Sequence, residues 1–142
     1  MYDLEKIGKI IADLEHYFCS LEKFKVDSPS MSEERFYSLS MILFSILNRT
    51  LDLGEEIVRG KKLGMPGTYQ GIFQILEREK IISTQLSHEL EYLAKQRNVL
   101  AHEYFDISPK SIFLISKKME IVKEFIKIIY LLTHSKKGNG KK

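Results

Sequence analysis

Apolar side chains recur at steps of three and four residues along most of the chain, and this spacing restricts the chain to amphipathic α-helices. The periodic stretches predict helices over about residues 2–24, 32–60 and 69–80, a fourth that begins at Ser83 or Thr84, and a fifth from Pro109 to about His134. No stretch alternates apolar and polar residues with the period of a β-strand. The sequence therefore predicts an all-α fold, an up-and-down bundle of four principal helices plus one short helix.

Proline, glycine and capping residues mark where these helices end. Pro29 lies in a serine-rich turn, and residues 60–68 combine three glycines with a proline, which indicates an exposed loop. Thr68 can cap the short helix, and Ser108 followed by Pro109 has the order of an N-cap and a first helical residue. None of these breaks is long enough to separate domains. We predict one bundle, residues 1–135, followed by a Lys-rich flexible tail, residues 136–142.

The positive net charge comes from the tail rather than from the bundle. The chain carries a formal charge of +3, from 22 Lys and Arg against 19 Asp and Glu, and four of the lysines lie in residues 136–142. Without the tail, 18 basic residues face 19 acidic ones, so composition gives no sign of a broad basic surface. Any binding of nucleic acid would then depend on a local site or on an assembled oligomer.

Cysteine usage and hydropathy indicate the compartment. The single cysteine, Cys19, excludes an intramolecular disulfide and fits a reducing environment. The chain does not open with the basic and apolar segments of a signal peptide, and no apolar stretch is long enough to cross a bilayer. We expect a cytoplasmic protein with no membrane contact.

Two of the predicted helices, 32–60 and the last one, have apolar arcs wider than a single neighbouring helix needs. The simplest use for the surplus is a symmetric homodimer. The alternative is that the short helix covers it within one chain.

One charged residue interrupts the apolar line of the fourth helix. Six positions share a narrow arc of this helix: Leu86, Leu90, Leu93, Arg97, Leu100 and Tyr104. An arginine keeps its charge at any working pH, so Arg97 should meet an acid, a carbonyl or an opening in the bundle. Asp52 and Glu55 on the second helix are the candidate acids. A buried structural ion pair is the alternative to a functional role.

His102 lies five residues after Arg97, about 140° around an ideal helix, so the two side chains do not share a face. Either the helix loosens near Leu100, or a second chain completes the pair across a two-fold axis. Taken alone, His102 is explained as a cation near a helix C-terminus, and Tyr104 as a core tyrosine.

The string around these residues resembles a known family. It reads Arg97-Asn98-Val99-Leu100-Ala101-His102-Glu103-Tyr104. This resembles the Arg-x-x-x-x-His-x-Tyr signature of HEPN domains of the HepT type, the toxins of HepT–MntA toxin–antitoxin pairs. The chain is also similar to that group at Pro66-x-Thr68, at Ile81-Ile82-Ser83 and at Phe105-Asp106-Ile107. With the chain length and the helix layout, the resemblance covers essentially residues 1–134.

The resemblance implies a metal-independent endoribonuclease toxin that works as a homodimer without a cofactor and cuts tRNA or mRNA in the cleft between two motif helices. It implies that Arg97 and His102 are the catalytic pair and that Asn98 supports them. It also implies that Tyr104 accepts AMP, which a minimal nucleotidyltransferase of the MntA type transfers from ATP to silence the toxin. The alternatives are a non-catalytic dimer that binds a nucleotide or a partner transferase, and a purely structural bundle.

The residue types suit this chemistry. RNA carries its own nucleophile, the 2′-OH, next to each phosphate. Histidine moves protons near neutral pH, and a planar guanidinium matches the oxygens of a phosphate at two points. Neither step requires a metal, and His16, His88 and His134 lie too far apart in sequence to suggest a paired metal-ligand motif.

Overall fold

The computed structural model describes residues 1–102 and 107–135. Within these ranges the chain forms six α-helices and no strand: α1 (Leu4–Glu22), α2 (Glu33–Gly60), α3 (Tyr69–Arg78), α4 (Thr84–His102), α5 (Pro109–Ser116) and α6 (Met119–Thr133). The predicted all-α fold is confirmed. Residues 103–106 and the predicted tail, 136–142, lie outside the described residues.

Side chains at the N-cap positions begin the helices, and Thr68 and Ser108 do so as predicted. The Ser32 side chain accepts a hydrogen bond from the backbone N–H of Arg35, and Thr68 accepts one from Gly71. Ser108 caps α5, with Pro109 as its first residue. Of the two candidates before α4, Ser83 is the cap, because its hydroxyl accepts from the backbone N–H of Leu86. Each cap satisfies a backbone donor that the first helical turn leaves unpaired.

The prediction of one unbroken final helix was wrong. The chain turns between Ser116 and Met119, so α5 and α6 are separate helices. The backbone N–H of Lys117 bonds the carbonyls of Phe113 and Leu114, which closes α5. The break lets each helix pack on a different neighbour, α5 on α2 and α6 on α4. A straight helix cannot follow both, and apolar periodicity does not report a change of direction.

Helix α2 is the centre of the bundle. It packs against α1, α3, α4 and α5, and its inward side chains are fully buried: Leu39, Leu43, Ile46, Leu47, Leu53 and Ile57. Gly54 lets α3 approach closely, since a Cβ at this position would lie 2.7 Å from Cγ2 of Ile72. The short helix thus covers part of the wide apolar arc of α2. Tyr37 and Met41 near the start of α2 nevertheless stay 54% and 67% exposed. The other helices therefore cover only part of the surplus apolar surface of α2.

Among the described residues, no helix combines the length and the apolar character needed to cross a bilayer. The helices are instead amphipathic around one shared apolar core.

Candidate functional site

Arg97 is held between two helices by uncharged partners. Its Nε donates a hydrogen bond to Oδ1 of Asn48 on α2, at 2.7 Å, and its Nη1 donates to Oδ1 of Asn98, at 3.2 Å. These two bonds use two of the five N–H donors of the guanidinium. Because an amide carries no net charge, the positive charge of Arg97 is oriented but not neutralised.

Two aromatic rings complete the surroundings of the guanidinium. Its central carbon lies 5.4 Å from the ring centroid of Phe44 on α2 and 4.8 Å from that of Tyr69, the first residue of α3. A planar cation is attracted to the face of an aromatic ring, and such contacts restrict its movement. Three helices, α2, α3 and α4, therefore meet at Arg97.

The expectation that Asp52 or Glu55 pairs with Arg97 was wrong for the described residues. Asp52 accepts a hydrogen bond from Nη1 of Arg49, at 2.9 Å, and Arg49 also bonds Asp13 on α1. The hydrogen bond that Arg49 donates to Asp13 is the main cause that raises the pKa of Arg49, against the opposing effect of burial, and the bond to Asp52 adds to it. Asp52 is thus paired with an arginine of its own helix.

Glu55 lies in a different place. It is exposed and lines a cavity of about 200 Å³ together with Pro66, Thr68 and Tyr69. No carboxylate within the described ranges comes within 4.0 Å of Arg97. Which residue of α2 faces Arg97 depends on how α2 is rotated against α4, and the sequence does not report that rotation.

His102 is the last residue of α4 and is exposed. Its ring forms no hydrogen bond with any residue that the structure describes. The helix remains α-helical from Thr84 to His102, so the alternative in which it loosens near Leu100 was wrong. Five helical steps rise about 7.5 Å and turn about 140° past a full turn, so one chain presents Arg97 and His102 on different faces.

Tyr104, the predicted AMP acceptor, lies outside the described residues. The positions before it follow the predicted line: Leu86, Leu90 and Leu93 are buried, and Leu100 is half-buried.

An apolar groove adjoins the Arg97 site. It has a volume of about 240 Å³ and is lined by Phe36, Tyr37, Ser40, Met41, Phe44, Leu100 and Ile107. Phe44 belongs to both features, since it lines the groove and its ring also lies against the guanidinium of Arg97. The groove is therefore continuous with the surroundings of Arg97.

Sequence reasoning missed Asn48, Phe44 and Tyr69 as neighbours of Arg97. Asn48 stands on the polar arc of α2, and an amide there has the hydrogen-bonding capacity to hold an arginine. Nothing in the spacing distinguishes it from the acids nearby. Phe44 and Tyr69 have the pattern of ordinary apolar helix positions.

Comparison with known proteins places these features in a family. Residues 7–129 match the family model described as Ribonuclease HepT-like. The chain is 29% identical over 102 residues to the Putative RNase YutE of Bacillus subtilis (strain 168), covering 72% of this chain and 69% of that protein. It is 27% identical over 111 residues to the tRNA nuclease HepT of Aphanizomenon flos-aquae (strain 2012/KM1/D3), covering 78% and 73%.

Solved structures show the same fold. The structure of YutE from Bacillus subtilis, called a cytosolic protein of unknown function, matches with a TM-score of 0.79 at 27% identity, over 95% of this chain and 96% of YutE. A tri-AMPylated Shewanella oneidensis HEPN toxin in complex with an MNT antitoxin matches with a TM-score of 0.67 at 20% identity, over 92% and 98%. Because the family model spans residues 7–129, nearly the whole bundle, this chain belongs to the Ribonuclease HepT-like family.

Proposed function

We propose that this protein is a metal-independent endoribonuclease toxin that acts in the cytoplasm as a homodimer, with Arg97 and His102 as its catalytic residues. The observation that carries the proposal is the state of Arg97. Its guanidinium is oriented by Asn48 and Asn98, contacts two aromatic rings, and has no carboxylate partner among the described residues. A held but uncompensated cation is suited to an anionic group such as a phosphate.

The reaction follows from the two side chains. A neutral His102 accepts the proton of the ribose 2′-OH while the 2′-oxygen forms a bond to phosphorus. The bond between phosphorus and the 5′-oxygen breaks, and His102, now protonated, gives its proton to the leaving 5′-oxygen. Arg97 stabilises the additional negative charge on the phosphate oxygens with its remaining N–H donors. The products are a 2′,3′-cyclic phosphate and a 5′-hydroxyl.

The dimer is part of the proposal because one helix does not bring Arg97 and His102 to one face. We propose that a second copy covers the groove lined by Tyr37, Met41 and Phe44. This surface is apolar, partly exposed and continuous with Arg97. Burial of this surface would place the two copies of the site side by side. His102 of one chain would then complete the site that contains Arg97 of the other chain.

Cleavage of single-stranded RNA and of tRNA in the presence of EDTA tests the proposed reaction directly. Cleavage products that end in a 2′,3′-cyclic phosphate support it. RNA that stays intact while calorimetry detects ATP or AMP binding would instead identify a non-catalytic companion of a nucleotidyltransferase.

Glutamate in place of Met41 is expected to separate the dimer, because it puts a charge in the centre of an apolar interface. Light scattering at micromolar concentration should give the mass of a monomer, and RNA cleavage should fall in proportion to the loss of dimer. Met65→Glu is the matched control, since Met65 is 96% exposed and does not line the groove. A dimer of unchanged mass in Met41→Glu would contradict the groove as the interface.

We further propose that a cognate MntA-type minimal nucleotidyltransferase silences the toxin by transferring AMP from ATP to Tyr104. The match to a toxin structure that is tri-AMPylated and bound to an MNT antitoxin supports this proposal. A bulky anion seven residues after Arg97, on the same helical face in an ideal helix, would compete with RNA for the guanidinium.

Intact-mass measurement after co-expression with the neighbouring gene is expected to show mass added in steps of one AMP, with tandem mass spectrometry placing it on Tyr104. Tyr104→Phe should remove the added mass because it lacks the acceptor oxygen. Tyr92→Phe, which removes an exposed tyrosine hydroxyl from α4, should not. AMP found on other residues in the wild-type chain would contradict Tyr104 as the acceptor.

A further inference from the structure

A second cluster of chemically active side chains lies where α3 packs on α4, away from Arg97. Each of Glu77, His88 and Glu91 offers a ligand atom, and these three atoms lie within 4.8 Å of one another. Glu77 is the second-to-last residue of α3, whereas His88 and Glu91 stand three residues apart on α4. That spacing puts the imidazole and the carboxylate on one face of the helix.

The two carboxylates face each other without a cation. Both glutamates are half-buried, and within the described ranges neither has a lysine or arginine nitrogen within 4.0 Å. Like charges at this separation repel, and partial removal from water strengthens the repulsion. A divalent cation between them would reverse the sign of the interaction.

Neighbouring side chains already orient both carboxylates. Glu77 accepts a hydrogen bond from the Thr84 hydroxyl at 2.8 Å. Glu91 accepts one from the Ser87 hydroxyl at 2.8 Å and one from Nε2 of Gln74 at 3.1 Å. None of these donors carries a charge, so they position the carboxylates without neutralising them. Metal-binding carboxylates are commonly held by such outer hydrogen bonds.

We propose that Glu77, His88 and Glu91 bind one divalent first-row transition ion, with Zn²⁺ as the representative, and that the ion joins α3 to α4. One imidazole nitrogen and two carboxylate oxygens form a mixed donor set that suits such ions better than Mg²⁺, which prefers oxygen ligands. Ligand atoms about 2.0–2.2 Å from a tetrahedral ion are separated by roughly 3.3–3.6 Å. His88 is exposed, so a small rotation of its side chain closes the remaining distance.

The ion site is separate from the proposed ribonuclease site. His88 precedes Arg97 by nine residues, about 14 Å along an α-helix. The ion would contribute to structure: it would fix the end of α3 opposite to Tyr69, whose ring contacts Arg97. The proposal therefore does not rest on ribonuclease activity, and RNA cleavage in EDTA remains compatible with it.

Calorimetry and thermal unfolding of the tag-free full chain, each with added ZnCl₂ and with MgCl₂, test the inference. We expect one Zn²⁺ per chain and a higher Tm with Zn²⁺. At a free Zn²⁺ concentration about 100 times Kd, the unfolding equilibrium constant should fall by about 100-fold. His88→Ala should raise the Kd for Zn²⁺ by more than about 100-fold, since loss of even an outer-shell partner costs roughly 10–100-fold.

Two further variants make the result decisive. His16→Ala removes another exposed histidine, on α1, and should leave the Kd unchanged. Glu77→Gln keeps the size of the side chain but removes its charge, and should weaken binding as His88→Ala does. Zn²⁺ binding of equal affinity in His88→Ala and the wild type, or an equal loss in His16→Ala, would overturn the site. Equal stabilisation by MgCl₂ would overturn the assignment to a transition ion.

Discussion

Alanine in place of His102 is expected to lower kcat/KM for RNA cleavage by about 10²–10⁴-fold, the range that a positioned general acid or base contributes. The His102 side chain is exposed at the end of α4 and bonds no described residue, so its removal takes away a proton carrier and little packing. The free energy of unfolding should change by less than about 0.5 kcal/mol, as for an ordinary surface substitution. Initial rates in EDTA and urea unfolding measure the two quantities.

His16→Ala is the matched control for this experiment, because it removes an exposed histidine from a different helix. It should cleave RNA at the wild-type rate. Full activity in His102→Ala would show that a contaminating nuclease is responsible. A substrate with 2′-deoxyribose at the cleavage position should stay intact, and its cleavage would contradict attack by the 2′-oxygen.

Lysine in place of Arg97 is expected to reduce kcat/KM by about 10²–10³-fold even though the charge is retained, the loss seen when one donor to a developing oxyanion is removed. Lysine presents a compact ammonium in place of a planar fork, so it does not hold two phosphate oxygens at once. It also loses the bond from Nε to Asn48 and the face-on contacts with Phe44 and Tyr69. Steady-state kinetics well below the Tm of both proteins separate this effect from unfolding.

Arg59→Lys is the control for Arg97→Lys, because Arg59 is an exposed arginine at the end of α2 that pairs with Glu56. It should leave kcat/KM unchanged. If Arg97→Lys lowers stability while kcat/KM stays at the wild-type value, Arg97 is a structural residue and the proposed mechanism fails.

The uncharged partners of Arg97 explain why Arg97→Lys is an informative variant. A carboxylate about 4 Å away would attract the guanidinium by roughly 4 kcal/mol at an effective dielectric constant of 20, and would compete with a phosphate for it. Asn48 supplies the same directional acceptor without that charge. Of the two nearby acids, Asp52 binds Arg49, and Glu55 is exposed at a separate cavity. Arg97 is thus fixed in position while its positive charge stays available to a phosphate.

Much of the fold was predictable because its signals are local. Apolar spacing identified the helices, and Thr68 and Ser108 marked the starts of two of them, since caps act on backbone groups within a few residues. Spacing also put Arg97 on the apolar line of α4 and His102 off it, because the helical repeat alone determines this. The tertiary structure was needed to show that α4 stays helical through His102.

The sequence by itself determined an all-α bundle and singled out Arg97 and His102 within one eight-residue string. Only the tertiary structure decided that Asn48 holds Arg97, that Phe44 and Tyr69 cover it, and that the last predicted helix divides near Lys117. The three contacts of Arg97 join residues that are 28 to 53 positions apart in the chain. They depend on how each helix is rotated and translated against its neighbours. That arrangement follows from the packing of the whole core, and no local pattern records it.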